Sequence, residues 1–296
     1  MSVSRRRALA ALAGFSLLFS APFARAQVSI MDQLADIVEK SSAELAVQIN
    51  LSGRQRMLTQ KMSKEALLVA LGVEPERNRE NLKATAALFE RTLIGLKKGD
   101  KELGLAPAPN DDIARQLDVV MKLWKAFKPL VMQVAAGKTD RKLLDAIAEK
   151  NLPLLREMNK AVKLFEKAAG TDTTELAVAI NLAGRQRMLT QKMTKEYLLI
   201  ALGIAPERNR ASLQETMALF DRTLKGLLDG DPRQGLPGTK DGKIRAQLQK
   251  VMTLWRAFRP LLGRKPTPEN LRAVAKSNLP LLAEMNRAVK MYEESW

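Results

Sequence analysis

Thirteen residues, Asn50-Leu-Ser-Gly-Arg-Gln-Arg-Met-Leu-Thr-Gln-Lys-Met62, return as Asn181–Met193 with a single change, Ser52 to Ala183. The copies stand 131 residues apart, and matching landmarks follow each of them. Gly72-Val-Glu-Pro-Glu-Arg-Asn-Arg79 matches Gly203-Ile-Ala-Pro-Glu-Arg-Asn-Arg210. Leu123-Trp-Lys-Ala-Phe-Lys-Pro-Leu130 matches Leu254-Trp-Arg-Ala-Phe-Arg-Pro-Leu261, and Asn151-Leu-Pro-Leu-Leu155 matches Asn278-Leu-Pro-Leu-Leu282. In the last pair the offset falls to 127, which places a four-residue gap before the final segment of the second copy. A period this long means duplicated domains rather than a short-repeat solenoid.

Each copy reads as four helices. The first covers about 31–71 and stops at Gly72, a C′ glycine. Pro75 opens the second at a tolerated first-turn position, and it continues to about Lys98. A Gly- and Pro-rich loop, 99–110, leads to a third helix from Asp111 past Trp124, ended or bent at Pro129. The fourth covers about 139–168, with a kink or start at Pro153. The β-branched alternation of strands is scarce. Short loops between long helices give an all-α class: two tandem antiparallel four-helix bundles related by internal duplication. The expected domains are 27–169 and 170–296. The short junction at Ala169-Gly-Thr-Asp172 holds the two bundles in a fixed relation.

Residues 1–26 read as a signal peptide: Arg5-Arg-Arg7, an apolar run Ala8–Phe19, then Ala24-Arg-Ala26 before a mature start at Gln27. The same start fits a twin-arginine or an ordinary secretory leader. No later stretch has the length of a membrane span, so the expected location is the periplasm. The chain has no cysteine and no histidine, which removes thiol chemistry, the commonest general base and the commonest zinc ligand. Phosphate-binding loops and nucleophile elbows are missing too. The reading is of a non-enzyme with no cofactor and no metal. Without the four leader arginines, 45 basic residues face 32 acidic ones, a net charge of +13. Such a field favours anionic partners; nucleic acid is not one expected of an exported protein.

On a helical wheel Arg56 falls among Leu45, Ile49, Ser52, Ser63 and Leu67, and Arg187 among Leu176, Ile180, Ala183, Thr194 and Leu198. A guanidinium facing a bundle interior is costly unless paired, and neither stripe supplies an acid. Either the partner is an anion from outside, or the arginine snorkels to an edge or pairs with a Glu from another helix. Val47, Leu51, Leu58 and Met62 form a second apolar face on the first helix. It is buried either by the other repeat's first helix, in a pseudo-twofold pair, or by its own bundle. Trp124, Trp255, Phe127 and Phe258 read as core. Asn159 and Asn286, in the shared Glu-Met-Asn, read as polar contacts within the bundles, with a secondary place in the site as the alternative.

Asn50–Met62 and with it Asn181–Met193 resemble the start of the type IV pili methyl-accepting chemotaxis transducer N-terminal (PilJ-type) domain, with Gly53 before Arg56-Met57 and Gly184 before Arg187-Met188. They are also similar to the periplasmic domains of nitrate/nitrite sensor kinases. The resemblance covers each repeat once. It implies four-helix bundles and an anion held where two first helices meet, by the arginine before the Met, here Arg56 and Arg187. The following Leu58-Thr-Gln60 differs from the nitrate-sensor pattern. The expected ligand shell is Arg56, Arg187, Asn50, Asn181, Ser52, Gly53, Gly184, Thr59 and Thr190. The function this implies is a free-standing tandem sensor module that binds a nitrate- or nitrite-like oxyanion or small carboxylate. It would signal to a membrane-bound chemoreceptor or sensor kinase. The alternative is a periplasmic scaffold or adaptor that binds a protein or the envelope through the second apolar face and the positive charge.

Overall fold

A computed structural model of the protein describes residues 21–169 and 174–295. The chain divides into two units, Met1–Ser41 and Ser42–Trp296. In the first, residues 21–41 are helical. Most of the leader expected over 1–26 lies outside the described residues, as does the junction at 170–173. Eight α-helices are described, in two runs of four: α1 (Ala21–Ala70), α2 (Pro75–Lys98), α3 (Asp111–Ala135), α4 (Arg141–Ala168), then α5 (Thr174–Ala201), α6 (Pro206–Asp229), α7 (Gly242–Phe258) and α8 (Pro268–Glu294). The expected duplicated all-α architecture is the one observed.

Local chemistry sets the helix ends. Gly72 and Gly203 take positive φ at 67° and 65°, as a helix-terminating glycine must. Glu74 and Ala205 follow in the same left-handed region, directly before Pro75 and Pro206. Asn78 Nδ2 donates to the Val73 and Glu74 carbonyls at 2.7 and 3.2 Å, and Asn209 repeats this on Ile204 and Ala205. The duplicated Pro-Glu-Arg-Asn motif is therefore a turn device. Asn110, Asp140, Asp241 and Thr267 each cap a helix through a side-chain oxygen.

Three sequence expectations are corrected. The 99–110 segment is not plain loop: β1 (Gly99–Asp100) pairs antiparallel with β2 (Leu105–Pro107) around a 3-10 turn. Pro129 does not end its helix. α3 runs through it to Ala135, because Val131 and Val134 are buried and hold the last turns down. At the equivalent Pro260, α7 has already given way to a 3-10 turn, Arg259–Gly263. Gly263 and Pro266 stop any continuation there, which is where the four-residue gap falls. Pro153 lies inside an unbroken α4.

Within each bundle an aromatic cluster packs beside the repeated motif, whose Gln55 and Gln186 donate to the Phe89 and Phe220 carbonyls at 2.7 and 2.9 Å. Trp124 packs against Phe89 with centroids 4.7 Å apart and ring planes tilted by 48°, and Trp255 against Phe220 at 4.6 Å and 46°, all four essentially buried. Each indole N–H finds a carboxylate, Glu90 or Asp221, at 3.2 Å. The core reading of the tryptophans holds. α1 and α5 are the central helices. From Ile49 to Val69 only Arg54 and Lys61 are more than marginally exposed, and from Ile180 to Leu199 only Arg185 and Lys192. Over 49–69 and 180–199 each central helix is thus buried around its circumference, which accounts for its second apolar face.

Candidate functional site

α1 and α5 approach backbone to backbone where both carry glycine. A β-carbon on Gly184 would come 4.0 Å from Gly53 Cα. One turn further on, Arg56 and Arg187 turn back toward this crossing, the direction helical side chains take. A β-carbon on Gly53 would lie 3.4 Å from Arg56 Nη2 and 3.6 Å from Arg187 Nη2; one on Gly184 would lie 3.3 Å from Arg187 Nη2 and 3.7 Å from Arg56 Nη2. Each glycine therefore leaves free the place of one methyl group, at van der Waals distance from both guanidiniums.

Both arginines are buried, 1% and 3% exposed, and neither forms an ion pair among the described residues. Arg56 donates through Nη1 to Asn159 Oδ1 at 2.8 Å, and through Nη2 to the Asn181 carbonyl and Oδ1 at 3.0 and 2.7 Å. Arg187 donates through Nη2 to the Asn50 carbonyl at 3.1 Å. Each arginine thus holds the other repeat's first helix. Both Nε atoms are buried without a partner, so Arg56 uses three of the five N–H donors of a guanidinium and Arg187 one. Asn50 and Asn181 are pinned in turn by Glu293 and Glu166.

Burial pulls both guanidiniums down to about 9, and positive neighbours add to it: Arg185 beside Arg56, and Arg54 with Arg56 beside Arg187. Glu166 and Glu293 oppose this from a distance. Both groups stay charged at neutral pH, in a place where an unpaired charge is penalised by several kcal/mol, roughly. A bound anion would relieve that penalty with forked, charge-assisted hydrogen bonds.

The family of type IV pili methyl-accepting chemotaxis transducer N-terminal domains matches residues 37–149 and again 171–281. The chain belongs to this family. It is similar to the methyl-accepting chemotaxis protein McpN of Pseudomonas aeruginosa, 33% identical over 134 residues, which cover 44% of this chain and 24% of that protein. This chain therefore matches about a quarter of that relative's length. Among solved structures it is similar to the ligand-binding domain of the P. aeruginosa nitrate receptor McpN. The identity is 34% and the TM-score 0.37, over 42% of this chain and 97% of that one.

The two PilJ-type modules bring Arg56, Arg187, Asn50, Asn181, Gly53 and Gly184 together at one crossing. The hydroxyls expected in the shell face elsewhere. Ser52 donates to the Ile49 carbonyl at 3.1 Å, Thr59 to the Arg56 carbonyl at 2.8 Å, and Thr190 to the Gln186 carbonyl at 2.8 Å. Their protons are given to their own helices, the habit of buried Ser and Thr on helices. Asn159 belongs beside the site, as a direct partner of Arg56.

Two turns below lies a layer of buried lysines that the spacing did not single out. Lys64 donates to Asn278 Oδ1 at 3.1 Å and Lys195 to Asn151 Oδ1 at 3.0 Å, each crossing between modules. Gln60 and Gln191 share those same acceptors at 2.9 Å. Asn151 and Asn278 donate back to the Thr59 and Thr190 carbonyls. Burial lowers the amines to about 8 at Lys64 and about 7 at Lys195. The signal available in the sequence was the Asn151-Leu-Pro and Asn278-Leu-Pro repeat.

Proposed function

We propose that this chain is a sensor module that binds one small anion, an oxyanion or a small carboxylate, between Arg56 and Arg187. The observation that carries the reading is the space beside Gly53 and Gly184, within 3.3–3.7 Å of Nη2 of both arginines. Two buried guanidiniums without carboxylate partners favour a ligand over the adaptor reading, which would leave them solvent-exposed or ion-paired. Nitrate is the first anion to try, because the receptor whose ligand-binding domain this chain resembles is described as a nitrate receptor.

Binding would draw α1 and α5 together at the crossing. Each arginine holds the opposite central helix through Asn50 or Asn181, so the pull is transmitted to both modules. A ligand shifts such an equilibrium by its differential affinity for the two arrangements. The module would work outside the cytoplasm and pass the shift to a membrane-bound chemoreceptor or sensor kinase. No described helix is long and apolar enough to cross a membrane.

The test is thermal unfolding of the protein in nitrate, nitrite, sulfate, phosphate, formate and acetate at constant ionic strength. A ligand at a hundredfold excess over its dissociation constant stabilises by about 2.7 kcal/mol. At least one of these anions should raise Tm in proportion to the logarithm of its concentration, and Arg56→Ala should remove the effect. A common small shift with every salt, unaltered in the variant, overturns the reading.

A further inference from the structure

Beside the arginine pair a cleft of about 530 Å³ opens between α1, α2 and α8. Its inner lining includes Asn50 and Arg187, both buried, and its mouth is marked by the exposed Asn81, Ala84 and Lys290. One wall is apolar, made by Met57, Leu58, Leu88 and Leu282. A nitrate-sized anion occupies little more than a water molecule's share of roughly 30 Å³, so the oxyanion reading leaves nearly all of this space unused. The volume falls within the range of about 300–1,000 Å³ of small-molecule sites, which pair apolar walls with a few placed polar groups.

The polar groups are placed and unsatisfied. Nε of Arg54 and Nε of Arg187, both donors, are buried without a hydrogen-bond partner; the unpartnered Oδ1 of Asn50 is an acceptor and takes no bond from a carboxylate. Two other cations at the cleft are already paired, Lys61 with Glu65 and Lys290 with Glu293. Arg54 and Arg187 are not, among the described residues.

The duplication shows why the cleft is open on this side. Arg185, the counterpart of Arg54, reaches Gln234 Oε1 at 3.4 Å. The residue at Gln234's place in the first repeat is Leu103, which offers no acceptor. Likewise Arg56 is engaged by Asn159, whereas Asn286, the counterpart of Asn159, lines the cleft without a hydrogen bond to Arg187.

We infer that this cleft binds an organic monocarboxylate with an aromatic or branched apolar body. The acid lies on Arg54 and Arg187, and the body lies along Met57, Leu58, Leu88 and Leu282. Gln234 and Asn159 engage the corresponding arginines on the other side, so one molecule binds per chain. The inference extends the reading of Arg187 as an anion ligand. It makes the organic acid and the small oxyanion competitors for that residue.

Calorimetry with benzoate, its uncharged isostere benzamide, and nitrate tests it on the full chain. Benzoate is expected to bind once per chain, benzamide not at all, and nitrate to weaken benzoate competitively. Ala84→Trp, at the exposed mouth, should weaken benzoate at least tenfold and leave nitrate unchanged. Arg54→Gln should weaken benzoate about tenfold and nitrate less than twofold. Nitrate binding without benzoate binding overturns the inference alone. So does benzoate binding that is indifferent to both substitutions. Benzoate binding without that of any small oxyanion sustains the inference and overturns the oxyanion reading. Absence of binding by benzoate and by every anion of the thermal screen overturns both.

Discussion

Arg56 and Arg187 are equivalent in sequence and unequal in surroundings. Arg56 has three hydrogen bonds and Arg187 one, yet both bear the same burial. Replacing a buried charge by an apolar side chain of similar length is often neutral or stabilising by about 1–4 kcal/mol, while each charge-assisted bond given up costs about 1.5–3 kcal/mol. Arg187→Met should therefore raise the stability of the ligand-free protein, and Arg56→Met should raise it less or lower it. Equal effects in denaturant unfolding would mean that the two sites are not distinguished by their partners. The lysine layer makes a separate expectation. Burial lowers Lys195 from 10.5 to about 7 and Lys64 from 10.5 to about 8. Between those values and 10.5 the unfolded chain binds more protons than the folded one, so stability rises with pH across that window, and the full penalty remains below it. Glu196 and Glu65 hold the charged amines up, and Lys192 and Lys61 push them down. Lys195→Met should stabilise the protein at pH 6 by about 1–4 kcal/mol and flatten the rise between pH 7 and 10. A slope identical to that of the parent would remove the buried amine as its source.

At the scale of the element, the two copies provide an internal control. Pro129 lies exposed inside a continuing α3, where it denies one backbone hydrogen bond. Pro129→Ala should stabilise by about 1–3 kcal/mol. Pro260→Ala should give less, because Gly263 and Pro266 end that helix regardless; equal gains in urea midpoints would contradict this. Gly53 and Gly184 are similar in kind. Alanine is favoured over glycine in a helix interior by about 1 kcal/mol. At Gly53 a β-carbon meets nothing closer than 3.4 Å. Gly53→Ala should leave the ligand-free fold intact or slightly more stable and abolish anion binding, since the methyl occupies the space between the guanidiniums. Binding retained at parental affinity would place the anion elsewhere. Much of this was legible in the sequence. The Gly72 stop, the Pro75 start and the Lys98 end of α2 are local signals, and the duplication fixed the bundle count. What was not legible depends on which elements meet. The Glu166 and Glu293 carboxylates, the half-buried Arg54 and Arg185, and the lysines at 64 and 195 look like surface positions when one helix is read alone. They become interior only because α1 and α5 are each covered by the opposite module. The intrahelical hydrogen bonds of Ser52, Thr59 and Thr190 were not legible for a related reason: a wheel places a side chain on a face but does not say that its proton returns to the preceding turn.

For the whole molecule the question is what duplication within one chain accomplishes. The crossing needs one arginine and one asparagine from each module: Arg56 engages Asn181, and Arg187 engages Asn50. In a single chain both halves are present at a fixed effective concentration, so anion affinity should not depend on protein concentration, as it would if two separate chains had to meet. On the proposed reading of one anion between the two arginines, each arginine is indispensable. Without ligand the two like charges repel in a poorly hydrated site; with ligand, a single anion screens both. Arg56→Ala should then abolish binding as fully as Arg187→Ala, and the parent should titrate to one oxyanion per chain. Two independent sites would behave otherwise, with a stoichiometry of two in the parent and one in each variant. Calorimetry across a tenfold range of protein concentration separates the cases. One anion per chain, a concentration-independent affinity and complete loss in either variant are the expected results. Half of the binding surviving in each variant would show that the modules bind separately, and that the near-identity of their two motifs reflects two sites rather than two halves of one.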